Sequence, residues 1–133
     1  MYGAVSPEDG ELFSLVMPYT NTDCMNVFLE ELSKAYPDDY ILLLLDNAAW
    51  HRSSTMVVPS HIELFPLLPY TPELNPIEMI WDEVREKGFR NEIFKNLEAV
   101  IDRLCCTVKE LAEDVQCVAS ITHRRWLIDA LMI

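Results

Sequence analysis

The chain has 133 residues, half of them hydrophobic and only three of them glycine, a globular composition with material for one domain and not for two. Its net charge of −12 repels phosphate backbones on average. Composition therefore argues against a free-standing nucleic-acid binder unless a local basic face, divalent ions or a separate basic domain supplies the attraction. No run approaches the roughly 20 apolar residues of a membrane span, and the start "MYGAVSPEDGEL" lacks the basic and apolar regions of a signal peptide.

The charge is uneven: residues 1–51 carry nine acids and one base, Lys34, whereas residues 52–133 carry thirteen acids and nine bases. Cys24, Cys105, Cys106 and Cys117 make no CxxC pair and no zinc-ligand spacing. They read as reduced thiols of a cytosolic protein.

In chain order, "YGAV" and "ELFSLVMP" are apolar runs separated by the turn residues "SPEDG", which predicts an antiparallel hairpin. "NTDCMNVFLEELSKAY" places Met25, Phe28, Leu29, Leu32 and Tyr36 at helical spacing, with Asn21 or Thr22 as N-cap and Pro37 closing the helix. "YILLLL" is a continuous apolar run, the pattern of a strand covered on both faces in a parallel or mixed sheet. "NAAWHRSSTMVV" has room for a short helix before Pro59, and "HIELFPLL" is a second strand weakened by Pro66.

"PLLPYTPELNPIE" holds four prolines in thirteen residues and admits neither helix nor central strand until it ends. From there "NPIEMIWDEVREKGF" carries a stripe of Ile77, Ile80, Trp81 and Val84, with Asn75 as N-cap and Pro76 as first helical residue. A longer helix keeps the period through Leu97, Val100, Ile101, Leu104, Val108 and Leu111. A last helix is expected from about Val118 to Leu131, containing Arg124 and Arg125. The order hairpin, helix, strand, strand, helices describes one α/β domain over residues 1–133.

Two carboxylates stand out. Asp46 ends the leucine run, and sites in such sheets form at the carboxyl ends of strands; an aspartate there also caps the turn that follows. Glu78 completes a capping box with Asn75, yet falls beside the apolar stripe, where a side chain can point toward a neighbouring strand end. Two converging carboxylates suit Mg²⁺, a hard ion taking oxygen ligands, and paired ions of that kind activate a nucleophile at a phosphodiester. His51, in "NAAWH", reads more simply as a hydrogen-bonded structural group. Glu73 competes with Glu78 from within the proline-bound loop. Gly3, Gly10 and Gly88 make no phosphate-binding loop, which disfavours a nucleotide-binding or phosphatase reading.

"LLLLDNAAWH" followed by "LLPYTPELNPIEMIWDEVREKGFRN" resembles the catalytic domain of bacterial insertion-sequence transposases of the mariner-like superfamily, the DDE endonucleases. The likeness extends from about Tyr2 to Trp126. It implies an RNase H-like mixed sheet flanked by helices, with Asp46 as the second catalytic aspartate and Glu78 as the third carboxylate, both ligands of Mg²⁺ (or Mn²⁺). It implies DNA cleavage and strand transfer, with the element's ends and the target DNA as partners and a homo-oligomer as the working form. The setting would be cytoplasmic, at the nucleoid when bound to DNA. The 31 residues between Asp46 and Glu78 are slightly fewer than the family leads one to expect, and Leu68 stands where relatives often have a proline.

The resemblance also implies a first catalytic aspartate on a central strand upstream of "YGAV", and a basic helix-turn-helix domain before that. Neither has a counterpart in these residues: Glu8, Asp9, Glu11 and Asp23 lie in or beside turns or a helix start. The expectation is an N-terminally truncated domain that is inactive alone. It would be completed by an upstream transposase portion or full-length transposase, or else would be an inhibitory or relic protein.

Overall fold

The computed structural model describes residues 1–45, 55–66 and 75–123. Among these residues it is a mixed α/β structure with two small sheets and four α-helices. The chain forms two compact units, one of residues 1–2 and 15–75, the other of residues 3–14 and 76–133.

The hairpin consists of β1 (Tyr2–Val5) and β2 (Leu12–Leu15). The Ser6 N–H donates to Glu11 O and the Gly10 N–H to Ser6 O, both at 2.8 Å. Gly10 closes this turn at φ 78°, a conformation that costs a residue with a Cβ. A Cβ there would also meet the Val115 carbonyl oxygen at 1.9 Å, so the backbone approach itself requires glycine.

In the unit of residues 15–75, α1 (Thr22–Ala35) is capped by Asn21, whose side chain accepts from the Cys24 N–H at 2.9 Å. Cys24, Met25, Phe28, Leu29 and Leu32 form its buried face, the amphipathic arrangement that the spacing predicts. β3 (Ile41–Leu45) pairs in parallel with β4 (Ile62–Pro66), Ile41 opposite Ile62 and Leu45 opposite Pro66. The Ile41 N–H donates to His61 O at 2.8 Å. Alternation then turns the backbone groups of Ile41, Leu43 and Leu45 toward β4 and those of Leu42 and Leu44 away. By the same alternation Pro66 faces the outer edge of β4, where a missing N–H removes no ladder bond. The expected coverage of "YILLLL" on both faces is not met, because Leu42 is exposed, as is Phe65 opposite Leu44. Among the described residues β3 has one neighbouring strand only. Of the helix expected between Asn47 and Val58, residues 47–54 lie outside the described residues, and Met56–Val58 are not helical.

In the unit of residues 3–14 and 76–133, the core is Leu12, Ile77, Ile80, Val84, Val108, Leu111 and Val118. The helix α2 spans Ile77–Val84, one residue later than expected, with Pro76 in the cap position and already at helical angles (φ −59°, ψ −23°). Proline lacks a side-chain acceptor, so no cap bond forms from it. α2 runs into a π-helical turn, Arg85–Phe89, where the glycine at 88 lets backbone lie against Thr107.

Helix α3 spans Leu97–Glu113, capped by Asn96, and α4 spans Val115–Thr122, capped by Asp114, which accepts from the Cys117 N–H at 3.1 Å. This corrects the expected helix from about Val118 to Leu131. Asp114 leaves helical angles (φ −104°, ψ 77°) and restarts the helix three residues earlier than expected, and His123 (ψ 123°) ends it. Arg124, Arg125 and Leu131 lie outside the described residues. The expected stripe of α3 is buried at Val108 and Leu111 but not at Leu97 or Ile101.

Candidate active site

Of the two carboxylates, Asp46 lies outside the described residues, immediately after Leu45, which is buried at the carboxyl end of β3. His51 and Glu73 lie outside them as well.

Glu78 occupies the first turn of α2 between the buried Ile77 and the half-buried Met79, and is itself half-buried. A carboxylate there meets the positive end of the helix dipole. The capping box expected of Glu78 is not formed, since its carboxylate enters no hydrogen bond or ion pair among the described residues. A half-buried acid with no internal partner has its oxygens available to an external cation, and carboxylate oxygens are the donors that hard divalent ions take. Among the described residues no three His, Cys, Asp or Glu side chains gather as a metal cluster.

Two polar junctions in the unit of residues 15–75 escaped the sequence reading. His61, which had no partner by spacing, lies 2.6 Å by Nε2 from Ser33 Oγ and 2.8 Å by Nδ1 from Asp39 O. Asn26 donates from Nδ2 to Thr55 O at 3.1 Å and accepts at Oδ1 from the Val57 N–H at 2.8 Å. These partners are 22 to 31 residues apart in sequence, beyond any periodicity, so no local signal marks them.

The local basic face that DNA contact would need is not formed by the described helices. Arg85 pairs with Asp82 at 3.0 Å, Lys87 with Glu83 at 3.2 Å, Arg103 with Glu92 at 2.9 Å, and Arg90 with Glu86. Lys34 lies 3.4 Å from both Glu30 and Glu31. Each of these five cations is matched by an acid three, four or eleven residues away, which flattens the surface potential around them. The hydrogen bond that Arg103 donates to the Glu92 carboxylate pushes the Arg103 pKa up, holding the guanidinium in its charged form.

No described helix is long and apolar enough to cross a membrane.

Comparison with known proteins agrees with the motif reading. No solved structure matches the chain. A protein of Sinorhizobium fredii named "Uncharacterized protein y4pE/y4sA" is 35% identical over 127 residues, covering 95% of this chain and 94% of that one. The family described as DDE superfamily endonuclease matches residues 1–101, a span that contains β3, Asp46, the proline-rich segment and Glu78. The chain belongs to the DDE superfamily endonucleases.

Proposed function

We propose that these residues are part of the catalytic domain of a bacterial insertion-sequence transposase with an RNase H-like fold, in which Asp46 and Glu78 are metal-binding carboxylates. The observation that carries this is the family match across residues 1–101, a span that includes both acids. That Glu78 enters no hydrogen bond or ion pair among the described residues supports it, because no capping role accounts for the side chain there.

Asp46 and Glu78 would hold Mg²⁺ or Mn²⁺, which when bound polarises the scissile phosphate and lowers the pKa of the attacking water or 3′-hydroxyl. The chain's own part is to supply two oxygen donors: Asp46, which follows β3 directly in sequence, and Glu78, in the first turn of α2. Among the described residues no other strand runs directly into an acid, β1 being followed by Ser6, β2 by Val16 and β4 by Leu67, so in this reading the third carboxylate comes from elsewhere. The edge of β3 with one described neighbour offers Leu42 and Leu44 to a further strand. The substrate is DNA, the ends of an element and a target, and the working form is an oligomer with the upstream portion of the transposase.

The test is Mg²⁺-dependent cleavage of labelled element-end DNA by the chain assembled with that upstream portion. Asp46→Asn and Glu78→Gln each abolish cleavage; an active variant removes its residue from the site. A second reading, a non-catalytic partner of intact transposase, is favoured because none of the strands β1, β2 and β4 among the described residues runs directly into an acid. It requires capture of full-length transposase by this chain without any gain in cleavage.

A further inference from the structure

The apolar residues of α3 divide between a covered side and a bare one. Val108 and Leu111 are 3% and 4% exposed, whereas Leu97 is 73% and Ile101 37% exposed. Leu97, Ile101 and Cys105 follow one another at a spacing of four residues, and Cys105 is exposed as well. At about 100° per residue, each step along this line turns about 40° further from the Leu111 side. Ala112, about 20° round from Ile101, is half-buried.

The outer flank of this bare stripe carries Glu98 and Lys109, which fall within about 20° of each other and about 60–80° from Ile101. Both are exposed, and neither enters an ion pair among the described residues. They are about 16 Å apart along the helix, too far to pair with each other in one chain.

A two-fold axis brings opposite charges together. When two identical helices pack antiparallel about such an axis, residues on the same flank face each other, and each contact occurs twice. Setting Glu98 against Lys109 of a second copy puts the axis midway between residues 103 and 104. The same register brings Ile101 to within one residue of Cys105 of the second copy. It also lays Leu97 between Val108 and Ala112 of the second copy. The apolar spacing and the charge spacing are independent of each other, and one axis satisfies both.

We propose that the bare side of α3 is the contact surface of a homodimer. Two copies pack this helix antiparallel through Leu97, Ile101 and Cys105, with Glu98 of each against Lys109 of the other. A single helix pair is small for a protein interface, so association is reversible, with a Kd of about 10–100 μM. Pairing of this kind requires neither DNA nor metal.

Sedimentation velocity of the full chain from about 1 to about 500 μM, with a reductant keeping Cys105 as a thiol, tests this. The wild type passes from monomer to dimer over that range. Leu97→Ser, at a position already mostly exposed, weakens dimerisation at least about tenfold, because its burial is lost twice per dimer. Glu98→Lys and Lys109→Glu each weaken it about fivefold, since each sets like charges together at two places. The double variant Glu98→Lys/Lys109→Glu returns to the wild-type constant, a rescue that loss of folding cannot imitate. A chain that stays monomeric throughout overturns the proposal. A dimer that Leu97→Ser or the single charge reversals leave unchanged also overturns it, because pairing then runs through another surface. So does a double variant that associates no more tightly than the single reversals.

Discussion

His61 joins three parts of its unit through one ring: Nε2 lies 2.6 Å from Ser33 Oγ in the last turn of α1, and Nδ1 2.8 Å from the carbonyl of Asp39. A carbonyl only accepts, so Nδ1 carries the proton and Nε2 accepts from the serine hydroxyl. The imidazole ties the end of α1, the connection after it and the entry to β4, next to the Ile41–His61 backbone bond that opens the parallel ladder.

Removing the ring therefore costs two hydrogen bonds, and His61→Ala is expected to lower stability by about 1–3 kcal/mol in urea unfolding. Ser33→Ala costs about 1 kcal/mol by the same principle, and the double variant is less destabilised than the sum. Strict additivity would show that the Ser33–His61 bond contributes nothing.

Tyr2 links the start of β1 to the entry of α1: its hydroxyl donates to Tyr19 O and accepts from the Asn21 N–H, both at 3.1 Å, while its ring stacks on Phe28 at 5.7 Å. Burial pushes its pKa above the ordinary 10.0, outweighing the hydrogen bond from Asn21 that lowers it. A folded pKa raised in this way gives stability that is complete below pH 10.0 and is lost as pH rises through the higher folded value. Tyr2→Phe keeps the stack and loses the hydroxyl, so it should be less stable than wild type by about 1 kcal/mol at neutral pH. That gap should close above the ordinary tyrosine range. A gap that stays constant up to alkaline unfolding would refute this account.

Gly88 and Thr107 are in closest approach across the π turn and α3. A Cβ on residue 88 would stand 2.6 Å from Thr107 Oγ1 and 3.3 Å from Thr107 Cβ. Gly88→Ala is expected to cost about 1–3 kcal/mol through overpacking. Thr107→Ala in the same chain should recover a large part of the loss, since it removes the colliding atoms. A double variant no more stable than Gly88→Ala would place the strain in the π turn's backbone instead.

Glu78 separates structure from chemistry. Because its carboxylate enters no hydrogen bond or ion pair among the described residues, Glu78→Gln should change thermal stability by no more than about 0.5 kcal/mol. Cleavage by the assembled protein should fall by more than about 100-fold, since groups that merely support metal ligands are worth 10–100-fold. A large stability loss would identify a structural role and explain reduced cleavage without any metal.

Asn26 makes a comparable case for the segment after Asp46. It holds Thr55 and Val57 by two hydrogen bonds, so Asn26→Ala should speed amide exchange at Val57 by about tenfold. Unchanged exchange there would mean that the segment is held by other contacts.

The elements with local causes were legible in the residues. The Asn21 cap, the α1 face and the stripe of Ile77, Ile80 and Val84 each follow from spacing within a few turns. The strands β3 and β4 were legible from composition, and Pro66 fits because it sits on the outer edge. Boundaries shifted where a side chain near the end made the decision: Asp114 broke what reads as open chain into a capped start of α4. The π turn carried no signal, because it depends on Gly88 meeting Thr107 nineteen residues later.

Periodicity reports which side of an element is apolar; it does not report what lies opposite. The residues alone therefore established the element order, the acid after the leucine run, the proline-bounded approach to Glu78 and the family motif. Folding in three dimensions decided that Val108 is covered and Leu97 is bare, that His61 reaches Ser33, and that Glu78 is left without a capping role. Each of those outcomes depends on neighbours distant in the chain, whose approach is set by packing and not by local propensity.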